Sequence, residues 1–271
     1  MDPSKDVEMS LHKAVIDGMT DVVEAILLRG TDPDTRDEET GRTAAHCAVQ
    51  AAHLQMLQLL KEYRADLSII DYMANTPLSE AVQRGKVEVV VWLLNNLSPK
   101  ESVVEDMFFL ATVYGQVNVM STLMTHGANI ESKNDLGRNA LFLAAENGQS
   151  EAVSFLLNRG ANPAVCDDFK KTLLHAAADS GDPKTIDLIQ KRCPDKMDAR
   201  DKSGDTPLHC AATTNTKAVV ILLERGAPID LRNEHGYTPL DSAIRAKKME
   251  IADLLRNVYQ FDSLTKRMEN L

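Results

Sequence analysis

The chain has 271 residues, only 4% of them aromatic, and a formal net charge of −10. That charge argues against direct binding of a nucleic-acid backbone, which calls for a surplus of Lys and Arg. No apolar run approaches the roughly 18 residues needed to cross a bilayer, so no membrane-inserted helix is expected.

The chain opens on a polar leader, Asp2 to Glu8, and residues 1–40 hold 11 Asp and Glu against 4 Lys and Arg. This acidic end reads either as a solvated terminal cap or as a docking surface for a basic partner. From Leu11 onward one short segment returns at intervals of 30 to 34 residues. It reads Leu11-His12-Lys13-Ala14, Ala45-His46-Cys47-Ala48, Leu78-Ser79-Glu80-Ala81, Phe108-Phe109-Leu110-Ala111, Leu141-Phe142-Leu143-Ala144, Leu174-His175-Ala176-Ala177, Leu208-His209-Cys210-Ala211 and Leu240-Asp241-Ser242-Ala243. A fixed period of this size marks a stack of like units.

The fourth unit follows the third by only 30 residues, and Ser98 to Val104 ahead of it lacks the usual D-x-x-G turn. Either this is tolerated drift, or a shortened finger opens a notch for a partner. In the fifth unit, a helix over Leu141 to Glu146 is predicted to end at Gly148. A second helix places Ala152, Val153, Leu156 and Leu157 on one face. The sixth unit starts its second helix at Asp182-Pro183, an N-cap followed by proline at the first helical position. That helix meets Cys193-Pro194 instead of a Gly-Ala turn, so its exit is expected to differ. Beyond the eighth unit, Tyr259, Phe261 and Leu264 read either as a closing helical extension or as the way into a further region. All 13 glycines fall into three columns, two at helix ends and one at a tight turn before the next unit.

Thr206-Pro207-Leu208-His209, Thr238-Pro239-Leu240 and Thr76-Pro77-Leu78 match the T-P-L-H signature of ankyrin repeats. Gly127-Ala128-Asn129, Gly160-Ala161-Asn162 and Gly226-Ala227 look like that family's G-A-D/N turn. On these motifs the chain resembles ankyrin-repeat proteins over residues 8 to about 258. The resemblance implies an all-α fold, an ankyrin-repeat α-solenoid of stacked helix-turn-helix units with short β-hairpin-like fingers. It implies one domain over residues 1–258, with about eight repeats starting near 8, 42, 75, 105, 138, 171, 205 and 237, and a capping extension over 259–271. It also implies a structural role for His12, His46, His175 and His209, each bonding across the turn to a neighbouring unit. His235, at a finger tip, stays unassigned.

No dinucleotide, P-loop, zinc-protease or nucleophile-elbow motif is present, so no enzymatic activity, cofactor or metal is expected. The four cysteines form no C-x-x-C pair, and no signal peptide precedes them. A reducing compartment is therefore expected, the cytoplasm or the nucleus.

In this family, partners meet the finger tips and the exposed side of the first helices. Most such positions here are polar, with Val113 and Tyr114 the apolar exception. The tips carry Met73, Leu136 and Phe169, with Tyr72 beside Met73. These residues, with Arg84 and Asn147, form the expected partner-binding surface: Tyr72, Met73, Arg84, Val113, Tyr114, Leu136, Asn147 and Phe169. The expected ligand is another protein or a peptide segment, bound by a chain that is monomeric on its own. The chain then serves as an adaptor, scaffold or inhibitor. Two other readings stay open: the recognition domain of a larger enzyme or channel, and a microbial effector built like a host scaffold.

Overall fold

The computed structural model describes the backbone of residues 10–268 and the side chains of residues 10–260. The polar leader and the packing of Phe261 and Leu264 lie outside the described residues. Sixteen α-helices follow one another among the described residues, and no strand forms. They are α1 (Leu11–Ile16), α2 (Thr20–Leu28), α3 (Ala44–Ala51), α4 (Leu54–Glu62), α5 (Pro77–Gln83), α6 (Val87–Leu97), α7 (Glu101–Val113) and α8 (Val117–Thr125). The series continues with α9 (Ala140–Glu146), α10 (Ser150–Asn158), α11 (Leu173–Ser180), α12 (Pro183–Arg192), α13 (Pro207–Thr214), α14 (Thr216–Glu224), α15 (Pro239–Arg245) and α16 (Met249–Met268). This is an all-α repeat fold of the solenoid class.

The chain divides into two compact units. The first runs to Ala111 and takes in Asn118–Gly127; the second takes Thr112–Val117 and the chain from Ala128 onward. In the first, α1 packs on α3 and α3 on α5. In the second, α9, α11, α13 and α15 stack in order, with α10, α12, α14 and α16 behind them.

The first helices of the repeats, α7 apart, start at a Ser, Thr or Asn N-cap. Thr206 is the N-cap of α13, and Pro207 follows it at the first helical position. There the missing N–H costs nothing and the ring fixes φ for the helix. The Nδ1 of His209 accepts from the Thr206 N–H at 3.1 Å and lies 2.8 Å from its hydroxyl. Its Nε2 therefore carries the proton, and donates to the Tyr237 carbonyl of the next finger at 2.9 Å. His46 repeats the bond to the Asn75 carbonyl and His175 to the Asp205 carbonyl, each at 2.9 Å. His12, half-buried, reaches the Arg42 carbonyl at 2.9 Å. The structural role expected for the four histidines is what the geometry shows. Where the column holds Ser79 or Asp241, the side chain closes the cap alone, on the Thr76 or Thr238 N–H.

The second helices bury their apolar face. Ala152, Val153, Leu156 and Leu157 of α10 are all buried, as are Val219 and Leu222 of α14. All 13 glycines have positive φ. At Gly204, with φ of +74°, a Cβ would fall 2.7 Å from the backbone nitrogen of Glu234, so neither the conformation nor the space admits a side chain.

The fingers are turns rather than strand ladders. Each closes on two backbone hydrogen bonds, such as Asp167 N–H to the Lys171 carbonyl with Lys170 N–H to the Asp167 carbonyl, or Asn134 N–H to the Arg138 carbonyl with Gly137 N–H to the Asn134 carbonyl. The Asp or Asn side chain at the start reinforces them: Asp167 Oδ1 accepts from the N–H groups of Phe169 and Lys171, both at 2.9 Å. Among the described residues the one bridge, between Cys166 and Thr172, is isolated.

Two local departures follow the sequence. Ahead of the fourth unit α7 begins at Glu101 and runs 13 residues, so helix occupies the stretch that elsewhere makes a finger. With no Asp or Asn to close a turn, the residues after Pro99 continue as helix. In the sixth unit Asp182 accepts from the Thr185 N–H at 2.8 Å, as an N-cap should. Its helix leaves through a 3-10 turn, Pro194–Lys196, and the Cys193 thiol donates to the Pro163 carbonyl.

Burial holds the imidazoles of His46 and His175 below the ordinary histidine value of 6.5. A folded value below the unfolded one means their stabilisation is complete above about pH 6.5 and is lost as pH falls through the folded values. Denaturant unfolding should therefore show stability falling from pH 7 to pH 5. His175→Ala should cost about 2–4 kcal/mol at pH 7 and flatten part of that slope. Leu156→Ala should cost roughly 2–5 kcal/mol with the slope unchanged.

Candidate partner-binding surface

Two hydrogen-bonding devices set out the surface. The first ties finger to finger. The tip carbonyls of Leu136, Phe169 and Ser203 accept from the N–H groups of Asp168, Lys202 and Glu234 on the following fingers, at 2.8 to 3.0 Å. In the first unit the Thr40 carbonyl accepts from the Tyr72 N–H at 2.9 Å. The tips are thereby held while their side chains stay in water.

The second device pairs most of these fingers with their own helix. The residue just before the N-cap reaches the side chain eight positions on, across the first helix. Arg42 donates to Gln50 at 2.8 Å, and Gln83 donates to Asn75 at 2.8 Å. Arg138 donates to Glu146 at 2.9 Å, and Lys171 to Asp179 at 2.8 Å. At the last such position the Arg245 guanidinium lies 4.5 Å from the centre of the Tyr237 ring. Many polar side chains on the exposed side of the first helices are thus already engaged within their own repeat.

Two of these pairs extend to a buried carboxylate. Glu80, buried, takes Arg42 at 2.6 Å and Arg84 at 2.9 Å. Asp167, also buried, takes Arg138 at 3.2 Å. That carboxylate shapes the finger carrying Phe169, so Arg138 supports an exposed tip through a buried ion.

The expected surface residues separate accordingly. In the first unit Met73 is 83% exposed and Tyr72 63%, the Tyr72 ring lying against Gly41. Arg84 is held on Glu80. In the second unit Tyr114 and Phe169 are each 49% exposed, and Leu136 is also exposed. Lys202 Nζ stands 5.9 Å from the Phe169 ring centre. Val113 is half-buried, and its carbonyl accepts from Gln149 Nε2 at 2.8 Å. Asn147 is exposed, but its amide donates to the Leu143 carbonyl at the end of α9. Tyr72, Met73, Tyr114, Leu136 and Phe169 are therefore the large apolar side chains of this set that face solvent.

Among the described residues no group of three His, Cys, Asp or Glu side chains is placed to hold a metal ion. No described helix is long and apolar enough to cross a membrane. The second unit also contains a cavity of about 510 Å³ around Asp205, Thr213 and Tyr237, which sequence reasoning did not find.

The family model for ankyrin repeats matches the chain three times, over residues 11–103, 107–193 and 174–264. The chain is 30% identical over 131 residues to an ankyrin repeat protein of Fowlpox virus, FPV014, covering 46% of this chain and 29% of that protein. It is 27% identical over 136 residues to the Caenorhabditis elegans homolog of transient receptor potential cation channel subfamily A member 1, covering 49% and 11%. It is 49% identical over 53 residues to palmitoyltransferase ZDHHC13 of Mus musculus, covering 19% and 8%. The matched part is less than a third of the length of each of these relatives.

Arg138→Ala would strip the buried Asp167 carboxylate of its counter-ion. A loss of about 3 kcal/mol is expected in denaturant unfolding. Faster amide exchange at Phe169 and Lys171 should accompany it, because those N–H groups bond to the same carboxylate.

Proposed function

The chain belongs to the ankyrin-repeat family, and from that premise we propose that it is a non-catalytic adaptor, scaffold or inhibitor that recognises a segment of another protein. Ankyrin repeats generally mediate protein–protein interaction. The observation that carries the reading is the pair of exposed apolar side chains on consecutive hydrogen-bonded finger tips, Leu136 and Phe169. Apolar surface kept in water on a backbone already ordered loses little freedom when it is covered. The proposed contacts are Tyr72, Met73 and Arg84 in the first unit and Val113, Tyr114, Leu136, Asn147 and Phe169 in the second. Aromatic side chains of this exposure are frequent anchors in interfaces. The four cysteines are free thiols, which supports a reducing compartment such as the cytoplasm.

A second reading is that the chain is the recognition domain of a larger enzyme or channel. What favours it is the company of its relatives: a channel subunit and a palmitoyltransferase, each matched over a small share of its length.

Affinity capture from native cells, followed by calorimetry with the purified partner, tests the surface. Tyr114→Ala and Phe169→Ala should each weaken binding by about 2 kcal/mol, roughly 30-fold, while leaving the thermal midpoint in place. Unchanged affinity in both variants would remove the proposed surface.

A further inference from the structure

The pairing of each finger with its own helix is interrupted once between α9 and α15. The position before the N-cap of α13 holds Asp205, and eight residues on stands Thr213. These two do not meet. The Thr213 hydroxyl donates to the Cys210 carbonyl at 2.9 Å, and Asp205 Oδ1 accepts from Asn233 Nδ2 at 2.7 Å. Two short side chains bonded elsewhere leave room, and the cavity of about 510 Å³ opens there. Its origin is the missing pair.

The chemistry of the gap follows from its neighbours. In the pairs built on Arg42, Arg138 and Lys171, the position before the N-cap supplies the cation and the helix supplies the acceptor. At Asp205 that position is itself an acceptor, so the pair lacks its donor. Asp201 lines the same cavity, and its Oδ1 accepts from the N–H groups of Ser203 and Asp205. Each carboxylate keeps its Oδ2 without a hydrogen-bond partner among the described residues.

The two cations in the lining are occupied: Lys171 is bound to Asp179, and Arg245 covers the Tyr237 ring. Counting Lys171, Asp179, Asp201, Asp205 and Arg245, three negative charges face two positive ones. Cys210 lines the wall as a neutral thiol, because burial and then the nearby Asp179 carboxylate push it up. The walls are also held in place. The Asp205 carbonyl is bonded by buried His175, and the Tyr237 carbonyl by buried His209.

We propose that this cavity is a subsite for an arginine side chain of a bound protein segment, which supplies from outside the guanidinium that the repeat lacks. A planar guanidinium presents several N–H donors to two carboxylates and stays charged at any working pH. The inference rests on the reading of the chain as a protein-binding module and adds the chemistry of one partner residue.

The test titrates the whole chain with N-acetyl-arginine amide and, in parallel, with the neutral isostere N-acetyl-citrulline amide, following backbone amide shifts by NMR. Saturable shifts at Asp205, Thr213 and Asn233 are expected with the arginine probe and absent with citrulline. Asp205→Asn keeps the acceptor for Asn233 but removes the charge, and should weaken the probe at least about tenfold. Thr213→Arg supplies a guanidinium from within the chain. It should abolish probe binding, with the thermal midpoint retained as proof of folding. Equal shifts with citrulline, unchanged affinity in the double variant Asp201→Asn/Asp205→Asn, or no saturable shift up to the probe's solubility limit would each overturn the proposal. Probe binding that survives while Tyr114→Ala and Phe169→Ala leave partner affinity unchanged would overturn the proposed surface and keep the cavity.

Discussion

The structure depends on one bond made repeatedly: a buried imidazole shared between a helix cap and the finger of the next repeat. His46, His175 and His209 each accept from the N-cap threonine N–H at Nδ1 and donate from Nε2 to a carbonyl 28 to 30 residues ahead. One ring thereby satisfies a donor at a helix start and an acceptor in a loop, two groups that would otherwise be buried without partners. It also fixes the distance between consecutive repeats. Nδ1 must be free of a proton for this, and burial holds the His46 and His175 imidazoles below the ordinary histidine value. Serine and aspartate in the same column close only the cap, and the fold tolerates them because histidines occur on other levels.

Around that scaffold several polar side chains of the fingers and first helices are engaged with one another. A finger residue pairs with its helix eight positions on, and tip carbonyls take N–H groups from the next finger. What is left over carries individuality. The apolar tips Leu136 and Phe169 and the exposed Tyr114 are one kind of remainder, with no partner of their own chemistry to cover them. The carboxylates of Asp205 and Asp201, hydrogen-bonded but without an ion pair among the described residues, are another. Both stand on backbone that is already hydrogen-bonded, which suits recognition without prior ordering. Relatives as different as a channel subunit and a palmitoyltransferase fit a fold whose scaffold is constant and whose remainders vary.

Much of the local structure was legible in the chain. The period, the cap at Asp182-Pro183 and the apolar face of α10 are written in residues that act within one or two turns. The glycines, all at positive φ, mark turns for the same reason. The bond made by each column histidine was foreseen only through the family resemblance. The helical start of α7 at Glu101 was not foreseen, since the missing turn signal ahead of it said what would not form but not what would replace it. Arg84 and Asn147 are expected from the sequence on the exposed side of the first helices, yet Glu80 and the Leu143 carbonyl hold them.

By itself, then, the sequence determined the repeat, its helices and its turns, because periodic burial and capping act over short distances along the chain. Only the tertiary structure decided which side chains remain available. Residues eight or thirty positions apart meet only after the turns have closed, and those meetings engage several polar groups of the fingers and first helices. The cavity at Asp205 could be seen only there, since it consists of a pair that fails to form.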